Sequence, residues 1–555
     1  MRPWTTKSVV LGVVGLVLVV IGTSFCFFWP GLFQAILSTQ LPLSPTSRSF
    51  EIWRDTTDVP VRLEFYFFNW TNPEELLDKT KKPNLVQVGP YTFIEKRQKV
   101  NVTFHPENHT VSYSQKRTWH FDPDNTNGSL DDRIIHLNVV AVSAAHKVRY
   151  WGLFFQNSLS YLLNRLSGIH VVKTVDELLF TGYTDAVMNM GTLAPVDEEV
   201  PPFDRFGWFY MRNGSTEFEG VANMATGMDD VNNLGIMKKW NYKDTSKYYK
   251  SPCNAVEGSA GEFFPPNRRK DEITMFSADI CRPITYEYTR TVQHKGIRGY
   301  RYELGAKTLG NETWRRYPHD QAKYFEATTT TERFFEADAW AAKSSNTRND
   351  PDSVNMGHCY CNGECSPMGL INITACRYGA PGFISLPHFL NGDPILRDQV
   401  VGLNPNAKDH SFYMTLEPTT GIPIDVAARL QINILLQPTD SIALFKHVPR
   451  IYFPIFWVNL RSGVTEDLAF SLRQLLMLPD IGLYGSVTMA VVGSLMLVVV
   501  AVLLYAQRSQ RSRSGKSRKV AASNGNKKTE SVYMDVKNGE DDTNNRADRQ
   551  LYSKI

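Results

Sequence analysis

Several catalytic motifs are missing from this sequence. It has no G-x-S-x-G nucleophile elbow, no H-E-x-x-H zinc motif and no P-loop, and its twelve histidines form no ligand-like pair on a helix face. Its carboxylates are spread along the chain rather than gathered into an acid–base pair. These absences exclude the enzyme classes that the motifs define. We therefore expect a protein without enzymatic activity, cofactor or metal.

Charge is missing from two long stretches, residues 8–29 and 481–507. As a helix, the first would extend about 33 Å, which is enough to cross a bilayer once. The competing interpretation of the first stretch is a cleaved signal peptide. Its apolar part is longer than the usual signal core, however, and no clear A-x-A site follows. We therefore predict two transmembrane helices.

The flanking charges predict how the chain is oriented. Arg2 and Lys7 precede the first span, and six basic residues within 508–519 follow the second. Because Lys and Arg are retained on the cytoplasmic side, residues 1–7 and the disordered tail 508–555 should both be cytoplasmic. Residues 30–480 should then be extracellular or lumenal. The net charge is +4, and the basic residues form no stripe along the sequence, so no nucleic-acid partner is expected.

The glycosylation sequons support this orientation. All N-x-S/T sequons lie within 30–480 and none lies in either tail; they are at Asn69, Asn101, Asn108, Asn127, Asn213, Asn311 and Asn372.

Cysteine is scarce, with seven in 555 residues. Cys26 lies inside the first span and is expected to pack as a small apolar residue. The other six are Cys253, Cys281, Cys359, Cys361, Cys365 and Cys376. The last four lie with His358 in residues 358–376, at a spacing that resembles a zinc cluster. An oxidising compartment favours disulfides instead, and the sequence alone allows fifteen pairings.

The segment between the spans alternates apolar and polar residues, which is typical of strands. Residues 61–67, 284–289 and 429–438 show this period of two. A helical period appears mainly in residues 151–182. There Leu159, Leu162, Leu163 and Leu166 share one face, and Thr174 with Glu177 forms a capping-box pattern. We predict a membrane-anchored α+β protein with a mostly antiparallel sheet and a helical cluster.

Several short motifs, in order along the chain, resemble the class B scavenger receptor family. That family includes fatty acid translocase (platelet glycoprotein IV), the high-density lipoprotein receptor, a lysosomal integral membrane protein, and insect croquemort, epithelial membrane protein and sensory neuron membrane proteins. The resemblance covers roughly residues 5–505. The motifs that carry it are FEIW (50–53), NPEELL (72–77), VGPYTF (88–93), TVDELLFTGY (174–183), KWN (239–241), SLPHFL (385–390) and GLNPN (402–406).

This resemblance implies a large antiparallel β-barrel-like domain with an apolar tunnel and an apical helical bundle, which includes residues 151–182. It implies a receptor that binds lipids, fatty acids, sterols or lipoprotein particles at its apex and transfers lipid to the membrane. Arg165 and Lys173 are then candidate contacts for anionic ligands. An alternative is a lysosomal or endosomal membrane protein that escorts a protein partner.

The resemblance also implies three disulfides, Cys253–Cys359, Cys281–Cys376 and Cys361–Cys365. One departure from the family is residues 318–354, which lengthen the approach to Cys359. This insertion is either a short helix that covers the tunnel entrance or, in the simpler interpretation, a variable surface excursion.

The tail carries two sorting patterns. Tyr533 and Val536 fit the Y-x-x-Φ signal of clathrin adaptors, and Ser553 with Ile555 fits a class I ligand of PDZ domains. The first pattern predicts endocytosis. We expect the protein at the plasma membrane, with endosomes or lysosomes as further destinations.

Overall fold

The computed structural model describes residues 6–55, 61–188, 203–310, 314–316, 353–361 and 365–524. The α-helices are α1 (Thr6–Gln40), α2 (Arg48–Arg54), α3 (Val139–Val148), α4 (Leu153–Leu166), α5 (Ala306–Leu309), α6 (Met356–Cys359), α7 (Pro394–Asp398), α8 (Ala407–His410) and α9 (Glu466–Asn524).

The strands are β1 (Val61–Trp70), β2 (Leu85–His105), β3 (Thr110–Phe121), β4 (Arg133–Leu137), β5 (His170–Thr174), β6 (Val221–Ala225), β7 (Met237–Trp240), β8 (Glu272–Ser277), β9 (Arg282–His294), β10 (Ile297–Leu304), β11 (Trp314–Arg316), β12 (Ser353–Asn355), β13 (Ile371–Asn372), β14 (Gly382–Ser385), β15 (Tyr413–Leu416), β16 (Pro423–Leu436) and β17 (Ile451–Gly463). The strands predicted at 61–67 and 284–289 lie in β1 and β9, and the one predicted at 429–438 lies in β16 as far as Leu436, so those three strands are confirmed.

One large antiparallel sheet forms the framework, in the order β7-β6-β3-β2-β1-β17-β16-β15-β10-β9-β8, with β14 and β13 paired beside β16. A short seam at Ser259 connects the two edge strands. Ser259 bridges Ile236, which immediately precedes β7, and Met275 in β8. The sheet is therefore nearly closed, and the predicted antiparallel α+β class is confirmed.

The chain divides into two compact units. One contains residues 1–29 and 480–555, and the other contains residues 30–479. Both α1 and α9 are long and apolar enough to cross a membrane. Each carries a proline at the boundary between the units, Pro30 in α1 and Pro479 in α9. Because proline donates no backbone hydrogen bond, it interrupts the helical ladder at this boundary.

The register of the large sheet places its apolar side chains on one inner face. Phe65 of β1 pairs with Val458 of β17 on one side and with Tyr91 of β2 on the other. Paired residues point to the same face of a sheet, so these three side chains face the same way. Two clusters of buried residues occupy this face, one containing Phe65 and Phe93 and the other containing Tyr113 and Tyr286.

Candidate functional site

The central strand β16 has two contrasting faces. Its polar side chains Asp425, Arg429, Gln431 and Asn433 are buried. Its apolar side chains Val426, Ala428, Leu430 and Ile432, which alternate with them, are only partly buried. In a strand that faces a packed core on one side and water on the other, the apolar side chains are the more buried ones, so β16 has the opposite pattern. The apolar face therefore borders space that protein atoms do not completely fill.

The polar face of β16 is buried because the chain from Ser385 to Ser411 covers it. Arg429 donates hydrogen bonds to the carbonyl oxygens of Lys408 and Ser411, at 3.0 and 3.2 Å. Asn433 Nδ2 donates to Ser385 Oγ at 3.0 Å. The buried polar groups are thus satisfied, as a buried polar network must be to avoid a desolvation cost.

A pair of stacked histidines lies within this covering segment. The rings of His388 and His410 are 4.4 Å apart, with 19° between their planes. His388 Nδ1 accepts a hydrogen bond from the Asn404 backbone N–H, and Gln87 Oε1 lies 2.8 Å from its Nε2. Burial, and secondly the neighbouring His410, lower the pKa of His388 to about 4. Burial also lowers the pKa of His410, so both rings are neutral at physiological pH.

The partly buried apolar row of β16 continues into its neighbours. Leu430 pairs with Val458, and Ala428 pairs with Leu460, in β17. Val458 and Leu460 are also partly buried and pack against the cluster that contains Phe65. A continuous apolar surface with incomplete burial therefore follows the inner face of the sheet.

Helix α4 presents apolar residues to solvent. Leu153, Phe154, Tyr161 and Leu166 are all exposed, with Phe154 at 77%. Arg165 lies over the ring of Tyr161, 5.2 Å from its centroid. Of the four leucines expected to share one face, Leu159 and Leu163 are buried. Leu166 is the last residue of the helix and is 61% exposed.

The helical prediction for residues 151–182 is too long. After α4 the chain forms strand β5, in which Lys173 pairs with Ile134 of β4, and then a π-helical turn over Glu177–Thr181. Lys173 Nζ lies 3.9 Å from Glu177 Oε1 and 4.7 Å from the centre of the Tyr183 ring. Lys173 is therefore a paired strand residue, whereas Arg165 is on a helix.

The predicted capping box is present at the end of β5. The backbone N–H of Thr174 donates to Glu177 Oε2 at 2.9 Å, and the Glu177 N–H donates to Thr174 Oγ1 at 3.1 Å. The two residues satisfy each other's backbone donors and fix the turn.

Two of the three disulfides that the resemblance implies are formed, Cys253–Cys359 and Cys361–Cys365. Cys281 and Cys376 are buried next to each other, and no bond joins their sulfur atoms in the structure. Their pairing stays a prediction. His358 is exposed, and the described residues contain no group of three or more side chains suited to a metal ion.

Some predicted sites lie outside the described residues. These are Asn311, most of the 318–354 insertion, and the tail residues Tyr533, Val536, Ser553 and Ile555. Of the other sequons, Asn101, Asn108, Asn127 and Asn213 are exposed, and Asn69 and Asn372 are half-buried.

Comparison with known proteins decides the family. A sequence model of the CD36 family matches residues 13–504. The chain belongs to the CD36 family. It is 34% identical to protein peste of Drosophila melanogaster over 485 residues, which cover 86% of this chain and 79% of that protein. It is 29% identical to scavenger receptor class B member 1 of Cricetulus griseus, with 91% and 90% covered. It is 27% identical to lysosome membrane protein 2 of Homo sapiens, with 79% and 82% covered.

The predicted membership of the class B scavenger receptor family is thus confirmed for this CD36-family chain. Sequence reasoning missed the stacked histidines, although both lie in or beside the motifs that carry the resemblance, SLPHFL and GLNPN. The signal available was a histidine in each of two segments rich in turn residues. That signal does not reveal that the two rings meet.

Proposed function

We propose that this CD36-family protein binds lipid or lipoprotein particles at the α4 surface and passes lipid along its interior to the membrane. The observation that carries the proposal is the apolar face of β16, which is incompletely buried although it lies at the centre of the sheet. A lipid that crosses water exposes its chain at a cost of about 0.8 kcal/mol per CH2, or about 12 kcal/mol for sixteen carbons. An apolar interior lowers that barrier.

Capture is assigned to the exposed apolar side chains of α4 together with Arg165. An exposed cation beside aromatic rings attracts carboxylate and phosphate groups while the rings contact apolar surface. Lys173 is the weaker candidate because Glu177 already lies within 4 Å of it. We expect Arg165→Glu to weaken binding of anionic lipid particles more than Lys173→Glu does.

Transfer is tested by filling the interior. Ala428→Trp adds an indole to the partly buried inner face, whereas Arg298→Trp adds the same group to an exposed position of β10. We expect Ala428→Trp to bind particles normally but to transfer little lipid into cells at matched surface expression. The Arg298→Trp control should bind particles normally and also transfer lipid normally. Normal transfer by Ala428→Trp would overturn the conduit.

The topology and sorting assignments belong to the same proposal. Both tails are cytoplasmic, the sequons between the spans carry glycans, and the protein resides at the plasma membrane. Tyr533 with Val536 binds a clathrin adaptor, and the C-terminal Ser553 and Ile555 bind a PDZ domain.

A second candidate function is the escort of a protein partner in lysosomes or endosomes. The exposed aromatic residues of α4 favour it, because contiguous exposed apolar groups are typical of protein interfaces. Residence of a tagged chain in lysosomes, with a copurifying hydrolase that Phe154→Asp abolishes, would support escort over lipid transfer.

A further inference from the structure

A belt of charged side chains lies on the same inner face as the apolar clusters. Along β2, Glu95, Arg97 and Lys99 follow Phe93 at alternate positions, so all four point to the interior. Arg97 pairs with Arg117 of β3 in the sheet register. Charge on this face is unexpected, because residues on both sides of it along β2 and β3 belong to the two apolar clusters.

Residues from four loops complete the belt. Arg212 Nη2 lies 2.6 Å from Asp279 Oδ1, and Arg117 Nε lies 2.7 Å from Glu219 Oε1. Arg377 also approaches Asp279, at 3.9 Å. Lys99 contacts Glu262. We define the charged belt as Glu95, Arg97, Lys99, Arg117, Arg212, Glu219, Glu262, Asp279 and Arg377.

The charged belt carries five cations against four carboxylates, an excess of one positive charge. The Nε atom of Arg212 is buried without a hydrogen-bond acceptor among the described residues. Buried guanidinium donors are costly to leave without partners. The belt can therefore accept a further anion.

The belt also lines accessible space. The Asp279 side chain is 39% exposed, and that of Arg377 is 31% exposed. Surrounding protein nevertheless desolvates both groups. Burial opposes ionisation of Asp279, and Arg212, Arg117 and Arg377 outweigh it to lower the pKa of Asp279 to about 2. Asp279 and Arg377 are therefore accessible to a ligand although protein surrounds them.

We propose that the charged belt binds the anionic headgroup, carboxylate or phosphate, of a lipid whose chain lies against the apolar inner face. This inference rests on the proposed conduit and names its preferred ligand. Arg212 is the principal contact because its Nε is buried without an acceptor among the described residues and its guanidinium can form paired hydrogen bonds with either headgroup. The excess positive charge of the belt compensates the charge that the lipid carries into an apolar interior.

The test compares headgroups on the same sixteen-carbon chain. Purified full-length protein in detergent is titrated with radiolabelled palmitate, hexadecyl phosphate and methyl palmitate. Arg212→Gln should weaken binding of one or both anions by about tenfold or more, since a charge-assisted hydrogen bond is lost, and should change methyl palmitate binding less than twofold. The anion that responds more strongly identifies the preferred headgroup.

Glu219→Gln provides the matched control, because it neutralises a carboxylate of the same belt. It should strengthen anion binding, and the double variant Arg212→Gln/Glu219→Gln should recover much of the affinity that Arg212→Gln loses. Damage to the fold would instead weaken all three ligands in both single variants. If Arg212→Gln does not fold, Arg377→Gln is used in its place, because Arg377 is a second cation beside Asp279.

The outcomes separate this site from the conduit. If the wild-type protein binds all three ligands and Arg212→Gln leaves anion affinity unchanged, the belt assignment is wrong and the conduit stands. If Arg212→Gln weakens methyl palmitate as much as palmitate, the belt is only a structural ion-pair network. If the wild-type protein binds none of the ligands, the proposed function itself fails.

Discussion

Acid should destabilise this protein through His388, and the variant His388→Asn tests that expectation. The ring is 4% exposed, stacks on His410 and accepts a backbone hydrogen bond through Nδ1. Asparagine suits the site for two reasons. It tolerates the positive φ of 54° at this position, and its side-chain oxygen can replace the Nδ1 acceptor. It does not titrate.

The magnitude follows from the pKa of His388, which burial lowers from 6.5 to about 4. Below pH 6.5 the unfolded chain binds a proton at this residue, whereas the folded chain does not bind one until about pH 4. Stability is therefore fully present above pH 6.5 and falls as the pH drops through this window. At pH 5 the loss is about 2 kcal/mol for this one residue.

The assay is thermal unfolding of the purified chain at pH 7.4 and pH 5. For a unit of 450 residues, 2 kcal/mol corresponds to about 2 °C in Tm. His388→Asn should lower Tm at pH 7.4, because the stacking contact is lost, and should show a smaller acid shift than wild type. Gln87→Leu removes the contact between Gln87 and His388 but keeps the His388 ring, so this variant should retain the full acid shift in Tm. An acid shift in His388→Asn equal to that of wild type would refute the reasoning.

Three further predictions concern the framework. Non-reducing peptide mapping should find Cys281 and Cys376 oxidised to a disulfide; stoichiometric zinc on free thiols would contradict this. Removal of N-glycans should lower the apparent mass, and antibodies to residues 520–555 should stain only permeabilised cells; staining of intact cells would overturn the topology. Gly258→Ala should destabilise the seam by about 2 kcal/mol or more, because Gly258 has a φ of 90° and a Cβ there would meet a backbone oxygen at 2.7 Å. As the control, Gly152→Ala should unfold like wild type, because a Cβ at Gly152 meets no atom within 4 Å.

The strands and spans were predictable because their patterns are local. Alternation identifies β1, β9 and β16, since one face of each strand is apolar whatever its partner. The helix after Trp151 was predicted correctly, but its extension through β5 was not. The run HVVKT, rich in β-branched residues, is the local signal for a strand, and its pairing with β4 over 30 residues away fixes it.

The charged belt could not be predicted from local pattern. In the sequence, EKRQK at residues 95–99 resembles an exposed edge strand, because nearly every side chain is charged or polar. Its burial depends on Asp279, Glu219 and Glu262, which three distant loops supply. The stacked histidines are similar, since two segments about twenty residues apart bring their rings together. Such sites are defined by tertiary contacts rather than by spacing.

The pairing of β1 with β17 has a consequence for biosynthesis. These neighbouring strands are about 390 residues apart in the chain, as Phe65 and Val458 show. At a synthesis rate of about 5–20 residues per second, β1 leaves the ribosome roughly 20–80 s before its partner. During that interval the β1 edge is an open template for wrong pairing. We therefore expect chaperones to bind this edge until β17 has been synthesised. A nascent chain that stops before Ile451 keeps the edge uncovered.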